Sequence, residues 1–295
     1  MLKISHTPES GQPPFLRLPA VDPARLRHWV ERFAYPRHFL AEPAANRRTG
    51  LDLCEILTGF GYVAKREGKY GNVVAMPARR AIRPLLIATH YDSVPACPAS
   101  DDNGSGMSVV LHLAEILRGA ERGVHFALFN REEDGLLGSL DFVREWSERG
   151  GPQYAEVHVL EMVGYRDRTP GSQRPPPGLP VRVPDTGDFI GLLGNRDSND
   201  VVRDLVRLAG DIRLEVPVTG LQVLFGLEQK APVLLRSDHA PFWQARVPSV
   251  MWTDTAEYRN PHYHQPSDLP DTLDYDFMAA VCHLLLARIA GVREG

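Results

Sequence analysis

Apolar residues recur along this chain with two periods. Leu26, Trp29, Val30 and Phe33 share one face at spacings of three and four, as do Leu53, Ile56, Leu57 and Phe60 before Gly61, so each stretch predicts a helix. Residues 62–66 and 72–76 flank Gly68 and Gly71 and read as a hairpin. Residues 84–89 are a short, continuous apolar run of the kind that forms a buried strand. Val110, Leu113, Ala114 and Leu117 then line one face of a helix ending near Gly119. The same beat returns with a strand over 124–129, a helix over 135–146 and a strand over 155–160. Further on come a strand at 189–193, a helix over 200–208, strands at 212–218 and 249–252, and a last helix with Phe277, Val281, Leu285 and Ile289 on one face. Strands alternating with helices predict an α/β fold around a largely parallel sheet.

Two stretches lack any period. Residues 1–23 carry five prolines and predict an extended N-terminal arm on the surface. Residues 166–187 carry six prolines, long for a connection inside a compact domain, which predicts a functional loop. It is too short to link two domains, so residues 24–295 are expected to form one. At 295 residues and 43% hydrophobic the chain has enough length for a large core. A formal net charge of −4, with no basic run, gives no reason to expect nucleic acid or a membrane surface as partner. No apolar run approaches a membrane span. Three scattered cysteines (Cys54, Cys97, Cys282) and the absence of a signal-like apolar segment in residues 1–6 make a cytoplasmic protein the expectation. Nothing in the sequence fixes an oligomeric state.

The candidate chemistry sits where predicted strands stop. His90 ends the run 85–89, and Asp101 and Asp102 follow at a glycine-flanked turn that opens a helix. Glu132 and Glu133 follow the strand at 124–129, Glu161 follows 155–160, and His262 and His264 lie in the loop after 249–252. If the strands are parallel, these residues meet at one sheet edge, outside the carboxyl ends, where open α/β sheets place their ligands. Two imidazoles and three carboxylates, one of them bridging, can hold two zinc ions, and a further carboxylate can act as general base. The pair Glu132–Glu133 suits that division, because neighbours at a strand end point different ways. Asp92 has the spacing to accept the other ring proton of His90 and fix its tautomer. His28, His112, His125, His158 and His283 read as structural or surface residues, and Cys97 as an inert buried thiol.

The segments His90-Tyr91-Asp92-Ser93, Asp102-Asn103-Gly104-Ser105-Gly106, Glu132 through Ser139, Glu161-Met162-Val163-Gly164 and Tyr263-His264 occur in an order that resembles the di-zinc exopeptidases, which include bacterial leucyl aminopeptidases and glutamate carboxypeptidase. The resemblance spans roughly residues 70 to 290. It implies a single three-layer αβα domain with a mixed, mostly parallel eight-stranded sheet, two Zn2+ per chain and a peptide substrate. Asp102 would bridge the metals, with Glu133 and His264 on one and His90 and Glu161 on the other. Glu132 would be the general base acting on a metal-bridging water, and Tyr263 would help polarise the scissile carbonyl. Residues 237–242 also resemble a family segment near the substrate. Glu161 stands where aminopeptidase members often carry aspartate. A zinc aminopeptidase is therefore expected. The alternatives are a single-zinc acyltransferase resembling glutaminyl cyclases, and a non-catalytic binding module on the same fold.

Overall fold

A computed structural model describes residues 1–7, 18–79, 81–118, 123–179 and 181–291. Nine strands form one sheet in the order β1-β8-β7-β9-β6-β4-β5-β3-β2. They are β1 (Leu2–His6), β2 (Val63–Glu67), β3 (Asn72–Met76), β4 (Leu85–His90), β5 (Val124–Phe129), β6 (Glu156–Leu160), β7 (Ile190–Gly194), β8 (Val218–Val223) and β9 (Ser249–Thr253). The helices are α1 (Pro23–Phe33), α2 (Pro43–Gly59), α3 (Gly104–Ile116), α4 (Leu137–Glu148), α5 (Asn199–Asp211), α6 (His239–Gln244) and α7 (Tyr275–Gly291). The four central strands β9, β6, β4 and β5 run parallel. Antiparallel pairings flank them at β7–β9 and β3–β5.

The central strands are buried on both faces, which is why they read as continuous apolar runs rather than as alternations. One face carries the main core, where Leu26 and Val30 of α1, Leu53 and Leu57 of α2, and Val110 of α3 pack together with Val202 of α5 and Leu285 of α7. The other face is covered by α4 and α6 through Phe142, Val143 and Phe242. Beyond that cover, Leu193, Val223, Leu234 and Trp243 form a small separate cluster beside short 3-10 turns at Leu227–Gln229 and Pro232–Leu235.

Most predicted elements form within a few residues of their expected bounds, with three corrections. The sheet has nine strands rather than eight, because Leu2–His6 of the expected arm pairs antiparallel with β8 as an edge strand. The remainder of the arm at 8–17, like the predicted helix end at Gly119, lies outside the described residues. The strand expected at 212–218 is displaced to Val218–Val223: Ile212 caps α5 and Arg213 has a φ of 53°. Gly220 masked this strand in the sequence, yet the position needs glycine, since a Cβ there would meet Val202 at 2.7 Å. The helix expected from 135 begins at Leu137, because Gly135 and Leu136 both adopt positive φ. Residues 166–187 contain no helix or strand among those described, only the isolated bridge Asp167–Gly187.

Candidate metal centre

Parallel pairing of β4, β5, β6 and β9 brings their carboxyl ends to one edge, and the predicted residues meet there. His90 closes β4 and is fully buried. Its Nε2 lies 3.2 Å from Asp102 Oδ1, 3.6 Å from Glu161 Oε2 and 4.0 Å from Glu132 Oε2. His264 Nε2 lies 3.1 Å from Asp102 Oδ2 and 3.3 Å from Glu133 Oε2. Asp102 thus faces one imidazole with each of its oxygens, as a bridging carboxylate would. One donor atom each from His90, Asp102 and Glu133 falls within 4.8 Å of the others, as do single atoms of His90, Glu132 and Glu161.

Local hydrogen bonds explain the aim of these groups. Asp92 Oδ1 lies 3.4 Å from His90 Nδ1, and its carboxylate accepts the backbone N–H groups of Glu132 at 3.1 Å and Glu133 at 3.3 Å. One side chain therefore sets both the histidine and the acidic turn. Asn103 caps α3 through Gly106 N–H, donates to Leu160 O at 2.8 Å and accepts from Met162 N–H, tying the Asp102 turn to the strand end that bears Glu161. Asp268 accepts the N–H groups of Asp101 and Asp102 at 2.8 and 3.1 Å. Ser237 Oγ donates to Glu161 Oε2 at 2.6 Å.

Both sequence alternatives are separated by position. Asp101 turns inward, accepting from Gly164 N–H at 2.9 Å and Asn260 Nδ2 at 2.7 Å. His262 engages Ser267 at 2.9 Å and packs against Tyr165, away from the cluster that His264 joins. Asn103 and Asp238 lie within segments that carry the resemblance but have no role assigned from sequence, and Asp268 is an ordinary loop aspartate until the fold carries it beneath the Asp102 turn.

The charge state calls for cations. Among the described residues, no lysine or arginine pairs with Asp102, Glu132, Glu133 or Glu161, and Asp238 is fully buried behind them. Without metal, protons take the cations' place. Burial pushes the Glu132 carboxyl well above its ordinary range against the pull of His90, with Glu161 and Glu133 adding to the push. Burial and then Asp102 push Glu133 up to about 8. Burial opposes charge on His264, yet Asp102 and Glu133 carry it to about 10. Burial likewise opposes ionisation of Asp102, but His264 and His90 hold it below the usual carboxylate range. Both ring nitrogens of His90 and Oε1 of Glu133 are buried without a hydrogen-bond partner. Imidazole and carboxylate donors, poor in cations and left unsatisfied, fit divalent zinc.

The cluster opens into a cleft of about 560 Å³. Leu179, Val181 and Val183 of the proline-rich loop line it opposite Leu192, Leu221 and Met251. Tyr263 stacks on His264 at 3.8 Å and accepts from Arg236 Nη2 at 3.2 Å. Burial raises its phenol, so the group stays a hydrogen-bond donor. Of the arginines near candidate loops, Arg131 pairs with Asp134 and Arg166 lies near Asp274, while Arg236 lines the cleft beside Glu257. Of the remaining histidines, His112, His125 and His158 are buried in the body, and His28 and His283 are exposed. Cys97 is buried, and burial pushes its thiol up to about 12.

A mixed sheet that gathers carboxylates and imidazoles at its carboxyl edge is an arrangement able to hold divalent metal in an α/β fold. Residues 72–289 match the profile of peptidase family M28, and the chain belongs to that family. Among its relatives, the protein YfbL of Escherichia coli is 33% identical over 72% of this chain and 68% of its own length. Aminopeptidase YwaD of Bacillus subtilis is 30% identical over 62% of this chain and 35% of its own. The chain thus spans between about a third and about half of the curated aminopeptidases it matches. Its fold is that of Legionella pneumophila LapA (TM-score 0.73, 19% identity, 92% of this chain and 73% of that one) and of Porphyromonas gingivalis glutaminyl cyclase (TM-score 0.68, 18% identity, 92% and 98%). Family membership bears out the resemblance read from the five ordered segments.

Proposed function

We propose that the chain is a two-zinc aminopeptidase that hydrolyses the first peptide bond of a peptide with a free amino terminus, and that residues 24–295 act as one peptidase domain. The observation that carries this reading is the convergence of His90, Asp102, Glu133, Glu161 and His264 beside a cleft, with Nε2 of His90 buried and unsatisfied. Asp102 would bridge two ions, Glu133 and His264 holding one and His90 and Glu161 the other. When bound, zinc supplies Lewis acidity, polarising a carbonyl oxygen and making water acidic near neutral pH. Asp92 keeps His90 in the tautomer that presents Nε2 to the cluster. Glu132 takes a proton from the attacking water and passes it to the departing amine, so that hydroxyl joins the carbonyl carbon as the C–N bond breaks. The Tyr263 hydroxyl donates to the carbonyl oxygen as charge develops there. Glu132 and Glu161 together offer the substrate's ammonium two carboxylates. Three free thiols fit a reducing cytoplasm.

The test assays one short peptide with its amino terminus free and acetylated, alongside elemental analysis of protein purified without chelator. Two zinc ions per chain, cleavage of the free peptide and resistance of the acetylated one are expected, since acetylation removes the charge that the carboxylates recognise. Release of a carboxyl-terminal residue would overturn the aminopeptidase reading. A single tightly held zinc with cyclisation of amino-terminal glutamine would favour the glutaminyl-cyclase alternative.

A further inference from the structure

Arg37 lies in the connection between α1 and α2, outside the segment that matches the family profile. It is 0% exposed. Among the described residues no carboxylate lies within ion-pair distance of it, and its fork is instead filled by main-chain carbonyls. Nε donates to Tyr91 O at 2.7 Å, Nη2 to Ala99 O at 3.0 Å, and Nη1 to Phe33 O and Pro98 O, each at 2.8 Å, and to Tyr35 O at 3.2 Å. Its own N–H donates to Ser93 Oγ at 2.9 Å.

These acceptors are placed where the ligands are set. Tyr91 directly follows His90, Tyr91 and Ser93 flank Asp92, and Ala99 lies three residues before Asp102. The Ala99 carbonyl also accepts from Gly104 N–H at 3.1 Å, at the turn that presents Asp102. Ala96 and Ala99 hold positive φ of 60° and 55°, a strained path for alanine that needs external support. A second arm reaches the other ligand loop. The Arg37 carbonyl accepts from Asn46 Nδ2 at 2.9 Å, and Asn46 exchanges reciprocal amide bonds with Asn130 at 2.9 and 3.0 Å, just before Glu132 and Glu133.

We infer that Arg37 is a positioning residue of the metal centre: its guanidinium fixes the path from His90 to Asp102, while its main-chain carbonyl, through Asn46, ties that fixed segment to the Glu132–Glu133 turn. Only a planar fork can serve carbonyls in several directions at once; a lysine ammonium on the same stem reaches fewer. Loss of the fork would let the path from His90 to Asp102 relax while leaving every ligand side chain present, whereas loss of the Asn46 amide would release the tie to the Glu132–Glu133 turn.

This inference rests on the proposed two-zinc site, so the wild-type protein is the reference throughout. Wild type, Arg37→Met, Arg37→Lys and Asn46→Ala are prepared metal-free. Each is titrated with Zn2+ against a chromophoric chelator and melted without metal. Steady-state rates are measured below each variant's melting temperature. Outer hydrogen-bond partners of metal ligands typically contribute 10–100-fold in affinity. Arg37→Met should therefore lose roughly 10–100-fold in zinc affinity and fall in kcat more than it rises in KM, with Asn46→Ala showing a smaller loss of the same kind. Arg37→Lys, which serves should Arg37→Met not fold, is expected between Met and wild type. A folded Arg37 variant with a lower melting temperature but wild-type zinc affinity and kcat would overturn the inference, reducing Arg37 to a structural residue. Absence of zinc binding in wild type would instead overturn the proposed function.

Discussion

Glu132 and Glu133 are chemically identical neighbours held in different surroundings. Glu133 reaches the Asp102–His264 side of the cluster, whereas Glu132 sits across from His90. The turn that separates them is fixed by Asp92, which accepts both of their backbone N–H groups, and by Arg131 at a φ of 63°. On the proposed reading, Glu132→Gln should keep the zinc content and melting temperature of the wild type but lose turnover by roughly 10²–10⁴-fold, the usual contribution of a general base. Glu133→Gln should weaken zinc binding first and lose rate in proportion to lost metal. Zinc titration and kcat at saturating zinc tell the two apart, and an exchange of phenotypes would reverse the assignment.

At the scale of elements, the proline-rich loop is tied to the body through Gln173. Arg259, buried beneath it, donates to Gln173 Oε1 and Phe189 O, both at 3.0 Å, and stacks 4.5 Å over the Phe189 ring. Gln173 in turn donates to Thr255 Oγ1 at 2.9 Å. These contacts dock the loop on the segment leading to Tyr263 and His264, and set Leu179 and Val181 against the cleft. Replacing Leu179 and Val181 by alanine should lower kcat/KM for a bulky apolar amino-terminal residue, relative to an alanyl substrate, by about 10-fold or more. Zinc content should not change. Equal loss on both substrates would mean that the loop does not contact the side chain. That this loop mattered was legible from its length and prolines. What it touches was not, because Gln173–Arg259 joins residues 86 positions apart with no periodic signal. The strand ends bearing ligands were legible for the opposite reason: a buried parallel strand writes an uninterrupted apolar run, and its end is where polar residues resume. β1 and β8 escaped because an edge strand needs little burial and Gly220 breaks the apolar pattern. Arg37 and Asp268 escaped because their partners are mostly backbone groups, which leave no trace in side-chain pattern.

Across the whole molecule, β6 joins the candidate site at one end and a charged network at the other. Its carboxyl end delivers Glu161 to the cluster of carboxylates and imidazoles; its amino end carries Glu156, which pairs with Arg288 of α7 through Nε at 2.9 Å and through a second, shorter contact. His158, two residues along, lies 3.3 Å from Glu156 and accepts from Trp252 of β9 at 3.2 Å. The network therefore pins the last helix across the two strands that feed the site. Burial opposes the charge on Glu156, but His158 and Arg288 hold its carboxyl down at about 2, against an ordinary value of 4.5. A carboxyl depressed on folding stabilises the native state above its unfolded pKa and loses that contribution as pH falls toward the folded one. At about 1.4 kcal/mol per pH unit, the difference corresponds to roughly 3 kcal/mol, present in full above pH 4.5 and lost progressively toward pH 2. Glu156→Gln, compared with wild type by denaturant unfolding in chelator so that metal release plays no part, should be less stable by a constant margin from pH 7 to 5. The margin should shrink between pH 4.5 and 3, since wild type then loses the charge that the variant never had. A margin independent of pH down to 3 would show that the carboxylate charge does not hold α7 to the sheet.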